Sequence, residues 1–361
     1  MSSKNINLKD FFMITGIICE FNPFHKGHKY LIDSVKGKGD GIICVMSGNF
    51  VQRGEAAAIS KFERAKVAVE NGADLVLELV TPCSVQSAEG FARAGVKLLE
   101  NAKICDSIAF GAECGDIDAL MSVCSEIKSK QTEIRTAISE GLSYPVALRK
   151  AVGSPLLDTP NNVLAIEYLN STNLKPIVIK RIGGGHDSDD AEYSASAIRS
   201  NMTDKAELKN CERAVLYKLR TMNKDDFANI EDVSEGLENR IIEAVKSATT
   251  LYELYDSIKT KRYTHARIRR IILRAFLDIT RDTDSEPRYL RVLAMSEYGK
   301  KLLSDISKKS ELPVITRYRD AKQIGGAVLS QFENECRYTD IYALCTNEAL
   351  PCCDDMTYRL K

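Results

Sequence analysis

The order of apolar and polar positions predicts a repeated strand–helix unit over roughly the first two hundred residues. Continuous apolar, β-branched runs are typical of strands buried on both faces, and here they alternate with stretches of helical periodicity. The predicted strands are Ile14–Cys19, Gly41–Met46, Asp74–Leu79, Ser107–Glu113 and Pro176–Lys180. Because a helix between successive strands is the usual crossover of a parallel sheet, residues 13–205 are predicted to form an α/β domain with a Rossmann-like sheet.

The pattern changes near Leu208, where helical periodicity takes over. The predicted helices are Glu212–Thr221, Leu237–Ala248, Leu251–Lys259, Ala266–Thr280 and Arg288–Ser307. The single candidate strand in this part is Pro313–Thr316. We therefore predict a second, mostly α-helical domain over residues 206–361, and we expect residues 1–12 to be a short extension ahead of the fold.

Composition limits the possible environments of the protein. The 361 residues carry 50 Lys and Arg against 50 Asp and Glu, so contacts with nucleic acid have to be local. Eleven cysteines without regular spacing predict reduced thiols in a cytoplasmic protein, and no dedicated metal site is predicted. No apolar run reaches the roughly 20 residues that span a bilayer, so no membrane contact is expected. The first dozen residues lack the features of a signal peptide.

The most informative motif follows the first predicted strand. The chain breaks at Asn22-Pro23, and His25-Lys-Gly-His28 then opens a helix. A strand that turns sharply into a helix N-terminus favours phosphate binding, through backbone N–H groups and the helix dipole. The His-x-Gly-His pattern resembles the signature of the nucleotidyltransferase superfamily, which includes class I aminoacyl-tRNA synthetases. We therefore predict that His25 and His28 are catalytic and act on the α-phosphate and the leaving group of a nucleotide.

A second phosphate-binding element is predicted after the fifth strand. Ser194-Ala-Ser196-Ala-Ile198-Arg199 places small hydroxyl residues at a helix start, with an arginine one turn later. Ser196 and Arg199 are therefore candidate catalytic residues that contact the β- and γ-phosphates. No strand leads through G-x-G-x-x-G into a helix, which argues against a dinucleotide-dependent hydride transfer. The polar loop Ser47–Glu55 lies at a strand end where ligands bind in parallel sheets, and we expect it to close over the site.

A basic segment in the helical part predicts contact with RNA. The cations from Lys259 to Arg274 are interrupted by no acidic residue, and Tyr263 and His265 lie among them. Helical spacing predicts that the arginines form one exposed face while the isoleucines point inward. The predicted RNA-binding residues are Lys261, Arg262, Arg267, Arg270 and Arg274.

Taken in order, these motifs resemble those of the bacterial tRNA(Met) cytidine acetate ligase family. The stretches that carry the resemblance are Glu20–His28, Val45–Glu55, Phe110–Glu113, Pro160–Asn162, Lys180–Asp187, Ser194–Arg199, Lys261–Thr264 and Tyr289–Leu293. The resemblance implies an enzyme that forms acetyl-adenylate and pyrophosphate from ATP and acetate. It also implies transfer of the acetyl group to N4 of the wobble cytidine (position 34) of elongator tRNA(Met), giving N4-acetylcytidine.

The resemblance also implies where ATP binds. By analogy with the family, the nucleotide lies along one continuous stretch and three later positions: Ile18, Cys19, Glu20, Phe21, Asn22, Pro23, Phe24, His25, Lys26, Gly27, His28, Lys29, Tyr30, Leu31, Gly111, Asn162 and Arg181. Mg²⁺ is expected to enter with ATP, since no carboxylate cluster is evident.

Two alternatives remain open at the level of sequence. The first is a cofactor-type nucleotidyltransferase that adenylates a small phosphate ester, which has no need of a basic helix. The second is a non-catalytic tRNA-binding or assembly protein with a vestigial nucleotide site, against which the retained His25, His28, Ser196 and Arg199 argue.

Overall fold

The fold is built on a seven-stranded, mostly parallel sheet. The computed structural model describes residues 13–37, 40–182, 194–234, 236–260 and 262–360. The strand order is β7-β6-β1-β2-β5-β8-β9, and a separate two-stranded hairpin joins β3 to β4. The strands are β1 Ile14–Cys19, β2 Gly41–Ser47, β3 Phe50–Val51, β4 Glu55–Ala56, β5 Leu75–Leu79, β6 Ser107–Ala112, β7 Lys175–Lys180, β8 Leu290–Met295 and β9 Val314–Ile315.

The five strands predicted for the first domain are all present. Strands β1, β2, β5, β6 and β7 pair in parallel, as the continuous apolar runs predicted. Strands β2 and β5 are buried along their whole length, so helices cover both faces of the sheet centre. The prediction of an α/β domain with a parallel sheet is therefore confirmed.

Helices cover the sheet and then continue into a separate group. In the first half they are α1 Lys26–Val35, α2 Lys61–Glu70, α3 Thr81–Ser84, α4 Ala88–Asn101, α5 Ile117–Ser129, α6 Gln131–Ser139, α7 Tyr144–Val152, α8 Pro160–Ser171 and α9 Ala195–Asn201. In the second half they are α10 Glu212–Thr221, α11 Lys224–Ala228, α12 Leu237–Ser247, α13 Leu251–Ile258, α14 His265–Leu277, α15 Glu297–Lys309, α16 Tyr318–Ile324, α17 Gly326–Tyr342 and α18 Asp354–Thr357. No helix in the described ranges combines the length and the apolar character needed to cross a membrane.

The predicted helix Arg288–Ser307 is wrong in its first half. Strand β8 occupies Leu290–Met295 and pairs antiparallel with β5, and the helix begins only at Glu297. The run Leu-Arg-Val-Leu-Ala-Met has no strong strand alternation, because the strand is buried on both faces at its start. Strand β9 then pairs in parallel with β8, so the sheet draws its last two strands from the second half of the chain.

The helical part has its own core, but this core does not extend over all of residues 206–361. Apolar side chains from Ala206 to Ile279 form one buried cluster, which we name the helical unit. Residues from Tyr289 to Cys336 instead belong to the core beside the sheet. The end of α17 returns to the helical unit through Tyr338 and Tyr342. The apolar core of the helical unit therefore ends near residue 280, and the domain boundary at residue 205 stays a prediction.

Candidate active site

The turn between β1 and α1 brings the first pair of candidate residues together. Phe21 has a left-handed φ of 46°, and the Asn22–Pro23 peptide bond is cis. His25 lies in the N-cap position of α1, where its Nδ1 accepts a hydrogen bond from the Gly27 N–H at 3.0 Å. Because Nδ1 is an acceptor, the neutral ring carries its proton on Nε2. The Nε2–H of His25 is thereby prepared to donate to an anionic oxygen.

The two histidine rings are stacked against each other. The ring centroids of His25 and His28 are 3.7 Å apart, with an angle of 22° between the planes. Phe21 contacts the His28 ring edge-on at 4.8 Å, which fixes the position of that ring. The Nδ1 atom of His28 is buried and has no hydrogen-bond partner in the described part of the chain. A buried ring nitrogen without a partner is costly in the free protein and can be satisfied by a ligand.

Both histidines are neutral at physiological pH. Burial lowers the pKa of His25 to about 4, and the charges of Arg181 and Arg199 add to this effect. Burial also lowers the pKa of His28 well below its ordinary value, with smaller contributions from His25 and Arg181. Positive charges of arginines therefore contribute to the lowered pKa of both histidines, and no carboxylate raises either pKa. Such a pocket favours a polyphosphate.

The second predicted phosphate element lies next to the first. The Arg199 guanidinium donates through Nη1 to the Asn22 carbonyl at 2.6 Å and through Nη2 to Ser196 Oγ at 3.2 Å. The Ser194 side chain caps α9 by accepting from the Ala197 N–H at 3.3 Å. The structure therefore brings Ser196 and Arg199 to the β1–α1 turn across 177 positions of sequence. Their assignment as catalytic residues stays a prediction.

Of the three later candidates for ATP binding, Gly111 lies near the end of β6, Arg181 directly follows β7, and Asn162 is in the first turn of α8. A Cβ atom on Gly111 would lie 3.2 Å from Arg181 Cγ, so the arginine side chain crosses the glycine closely. Asn162 is buried, and its Oδ1 accepts from the Cys114 N–H at 3.1 Å. Glu113 accepts from the Asn162 N–H at 2.7 Å and so caps the start of α8. These contacts order the edge of the site, and the contact of Gly111, Asn162 and Arg181 with ATP stays a prediction.

The continuous stretch that is predicted to bind ATP divides into three structural parts. Ile18 and Cys19 end β1, Glu20–Phe24 form the turn, and Lys26–Leu31 form the first turns of α1. Ile18 and Phe21 are buried in the protein, so any contact that they make with a nucleotide has to come from backbone atoms. The stretch from Gly183 to Asp187, which includes His186, lies outside the described residues.

The predicted exposed basic face is wrong for two of its arginines. Arg274 is only 1% exposed and forms ion pairs with Glu231 at 3.1 Å and Asp232 at 3.2 Å. Arg270 is buried as well and contacts the same Asp232 carboxylate at 3.5 Å. Arg267 is half-buried and donates to the Asp232 carbonyl. The acids lie more than thirty positions earlier in sequence, so inspection of the basic segment alone could not show them.

The remaining members of that set are Lys261 and Arg262. Arg262 is partly exposed, whereas Lys261 lies outside the described residues. RNA contact by Lys261, Arg262 and Arg267 stays a prediction.

Sequence reasoning missed a buried ion cluster between α2, β5, β8 and α18. Lys61 Nζ lies 2.6 Å from both Glu78 Oε1 and Asp355 Oδ2, and Arg291 contacts the same two carboxylates. These four residues are named the ion cluster. These residues are up to 294 positions apart in sequence. The one sequence feature that indicated a buried charge was Glu78, a charged residue within the apolar run of β5.

Among the described residues, no group of three or more His, Cys, Asp or Glu is arranged to hold a metal ion.

The strand–turn–helix with stacked histidines, at the end of a parallel sheet, defines a nucleotidyltransferase of the His-x-Gly-His type. In agreement, the family model described as HIGH Nucleotidyl Transferase matches residues 12–215 and 203–354.

Whole-chain relatives define the family more closely. The chain is 37% identical to the tRNA(Met) cytidine acetate ligase of a Thermoanaerobacter species, over 92% of this chain and 95% of that protein. It is 34% identical to the tRNA(Met) cytidine acetate ligase of Acetivibrio thermocellus, with the same coverage. The chain therefore belongs to the tRNA(Met) cytidine acetate ligase family, as its motifs suggested.

Solved structures agree over nearly the whole chain. Thermotoga maritima TmcAL in its apo form superposes with a TM-score of 0.89 at 28% identity, covering 97% of this chain and 99% of that chain. The same protein bound with alpha-thio ATP gives a TM-score of 0.87 at 27% identity and the same coverage. This family assignment favours the acetate ligase over the cofactor-type and vestigial-site alternatives.

Proposed function

We propose that this protein activates acetate with ATP and transfers the acetyl group to N4 of the wobble cytidine of elongator tRNA(Met). The observation that carries the proposal is the paired His25–His28 pocket, which Arg181 and Arg199 make electropositive. Family membership supplies the identity of the substrates, because the curated relatives are named for tRNA(Met), cytidine and acetate.

The first step is the adenylation of acetate. An acetate oxygen attacks the α-phosphorus of ATP, the bond to the bridging oxygen breaks, and pyrophosphate leaves. The neutral His25 donates from Nε2–H to a phosphoryl oxygen, and the unpaired Nδ1 of His28 is available for a second polar contact. Arg199 adds positive charge near the leaving group. These interactions strengthen as negative charge builds up, so they lower the barrier more than they stabilise bound ATP.

The second step moves the acetyl group to RNA. The N4 amine of the cytidine attacks the carbonyl carbon of acetyl-adenylate, AMP leaves, and the nitrogen loses one proton. The base has to be unstacked from the anticodon loop to present this amine. The helical unit lies next to the site, and we assign to it the binding of the tRNA stem, with Arg262 and Arg267 as candidate contacts.

Mg²⁺ belongs to the nucleotide in this proposal. The described residues offer no cluster of metal-ligating side chains, which fits an ion that enters bound to the ATP phosphates. When bound there, Mg²⁺ neutralises charge on the pyrophosphate leaving group.

The deciding experiment separates the two steps. Acetate-dependent exchange between ATP and labelled pyrophosphate, with no RNA present, reports adenylation alone. Labelled acetate is then supplied with ATP and elongator tRNA(Met), and the label on RNA is counted. Exchange together with labelled tRNA supports the proposal. Exchange without label would exclude this acceptor, and label on the tRNA without exchange would mean that activation requires tRNA. Neither exchange nor label would refute the acetate ligase.

A further inference from the structure

The stretch expected to be a mobile loop over the site is a two-stranded hairpin. Phe50 and Val51 of β3 pair antiparallel with Ala56 and Glu55 of β4, and the Gly54 N–H closes the turn on the Val51 carbonyl at 2.9 Å. We refer to residues 50–56 as the hairpin. Its tip consists of Gln52, Arg53 and Gly54.

One side of the hairpin is fixed to the nucleotide motif. The Gln52 N–H donates to Glu20 Oε1 at 2.7 Å, and Glu20 directly follows β1. Just beyond the hairpin, the Ala58 N–H donates to Asn22 Oδ1 at 2.7 Å. The buried Arg64 holds the Glu20 carbonyl from the other direction. The hairpin therefore keeps a constant position relative to the β1–α1 turn.

The other side of the hairpin is fixed to the helical unit. Gly54 has a φ of 75°, and a Cβ atom there would lie 2.4 Å from the backbone nitrogen of Arg270 in α14. Arg269 forms an ion pair with Glu55, and Phe50 and Ala56 are part of the apolar core of the helical unit. Closure of this stretch over the site would require the helical unit to move with it. The hairpin is therefore held in place by contacts on both sides and does not act as a mobile lid.

Arg53 lies at the tip of this fixed hairpin. It lies between Gln52 and Gly54, whose contacts fix the backbone on both sides, yet its own side chain is exposed. It forms no hydrogen bond or ion pair with any residue in the described part of the chain. The charge of Arg53 acts on both Glu20 and Arg199, so the guanidinium lies within electrostatic range of the nucleotide motif and of α9.

Arg53 acts on two groups of opposite charge near the site. Its charge lowers the pKa of Glu20 by attraction and that of Arg199 by repulsion, while burial lowers the pKa of Arg199 and Glu55 and Glu20 raise it. An anion beside Arg53 and Arg199 would reduce the repulsion that remains between the two arginines. A phosphate group satisfies two guanidinium groups at once, because each can donate two parallel N–H bonds.

We propose that Arg53 is a phosphate-binding residue of this enzyme, held by the hairpin at the junction between the nucleotide site and the helical unit. The inference rests on the proposed function. Two sources can supply the phosphate: the polyphosphate of ATP, or the backbone of the RNA that enters between the two regions. An ordinary surface arginine would also be exposed and unpaired. Arg53 differs because its backbone is held by contacts with both the β1–α1 turn and the helical unit.

The test compares Arg53→Gln with Arg319→Gln in the full-length protein. Arg319 is an exposed arginine on α16, beside the sheet edge formed by β9, and within the described residues it forms no hydrogen bond or ion pair. Two quantities are measured for each: the KM for ATP in acetate-dependent pyrophosphate exchange without RNA, and the Kd for elongator tRNA(Met) over a range of salt concentrations. A thermal melt verifies that each variant is folded.

The two arms identify the source of the phosphate. If Arg53 binds ATP, its loss raises the KM for ATP about tenfold or more and leaves the Kd for tRNA unchanged. If it binds RNA, the Kd rises by a similar factor, and the slope of log Kd against log salt falls by roughly 0.7 to 0.9. Arg53→Lys keeps the charge and is expected to restore the salt slope but not the full affinity.

Two results would overturn the proposal: a folded Arg53→Gln retains native KM and Kd, or Arg319→Gln changes the same quantity by the same factor. Failure of the unsubstituted protein both to exchange pyrophosphate and to label tRNA would instead refute the proposed function, and the measurements of tRNA binding would still decide the role of Arg53.

Discussion

The ion cluster and the histidine pocket lie in the same fold and use charge in opposite ways. In the ion cluster, Lys61 and Arg291 face Glu78 and Asp355, so two cations meet two carboxylates in a buried space. In the histidine pocket, Arg181 and Arg199 lie near two neutral rings. The charges of the ion cluster form direct ion pairs within the protein, whereas Arg199 in the histidine pocket donates to a carbonyl and a hydroxyl oxygen.

The pKa shifts follow this difference. Burial alone would raise the pKa of Asp355, but Arg291 and Lys61 lower it to about 2. Burial raises the pKa of the neighbouring Glu335 to about 8, with Glu78 adding to the rise, while Lys61 and two hydrogen bonds from Thr81 oppose it. In the histidine pocket no carboxylate offsets the burial, and the pKa values fall. In this protein, the paired charges of the ion cluster have a structural role, whereas the unpaired positive charge of the histidine pocket indicates a binding site.

The largest effect is expected from breaking the ion cluster. Asp355→Ala leaves Lys61 and Arg291 with one carboxylate fewer in a buried site, and we expect a loss of about 3–5 kcal/mol in the free energy of unfolding. Asp305→Ala, which removes an exposed partner of Lys308, is expected to cost less than about 1 kcal/mol. Urea unfolding of both variants measures the difference. Equal losses would show that burial of the cluster does not matter.

The next effect concerns catalysis and leaves stability nearly unchanged. His28→Ala removes the ring whose Nδ1 is unpaired, and we expect acetate-dependent pyrophosphate exchange to fall by roughly 10²–10³-fold. His265→Ala, an exposed histidine at the start of α14, is the matched control and should exchange normally. Binding of tRNA should survive in both variants. Loss of tRNA binding in His28→Ala would mean that the two regions do not divide the two substrates.

A smaller effect tests the buried arginines of α14. Arg274→Met removes ion pairs with Glu231 and Asp232, whose side chains are partly solvated, so we expect a loss of about 1–3 kcal/mol in unfolding free energy. The Kd for elongator tRNA(Met) is expected to change less than about threefold, because the guanidinium is buried. Filter binding and urea unfolding measure the two quantities. A large loss of tRNA affinity at unchanged stability would restore Arg274 to the RNA-binding set.

The smallest effect is a pH dependence that arises in the histidine pocket. The pKa of His25 is about 4 in the folded protein against 6.5 for the ordinary side chain. Between these values the unfolded chain binds a proton that the folded protein does not, so stability falls as the pH drops from 6.5 towards 4. Allowing for solvent screening, we expect His25 to contribute about 1 kcal/mol of this loss between pH 6.5 and pH 5.

His25→Asn tests this contribution. Asparagine can accept the same N-cap hydrogen bond but does not titrate. The difference between the unfolding free energies of the two proteins, measured at pH 6.5 and pH 5, cancels every other titrating group. A difference that is independent of pH would contradict the lowered pKa of His25.

Much of the fold and part of the site followed from local sequence. The five parallel strands were predictable because each is a continuous apolar run, and β2 and β5 are buried along their whole length. The positions of His25 and His28 followed from a strand, a turn and a helix start that occupy fifteen consecutive residues. Strand β8 was missed because its hydrophobic run fits a buried helix equally well, and its partner β5 lies over two hundred positions earlier.

What the sequence determined by itself was therefore set by short-range physics: hydrophobic periodicity, turn chemistry and the capping of α1. The tertiary structure alone decided which charges are balanced. It paired Arg274 with Glu231 and Lys61 with Asp355, and it left Arg53 exposed, where its charge acts on Arg199. Charge interactions depend on distance in space and on burial, and neither can be read from the order of residues along the chain.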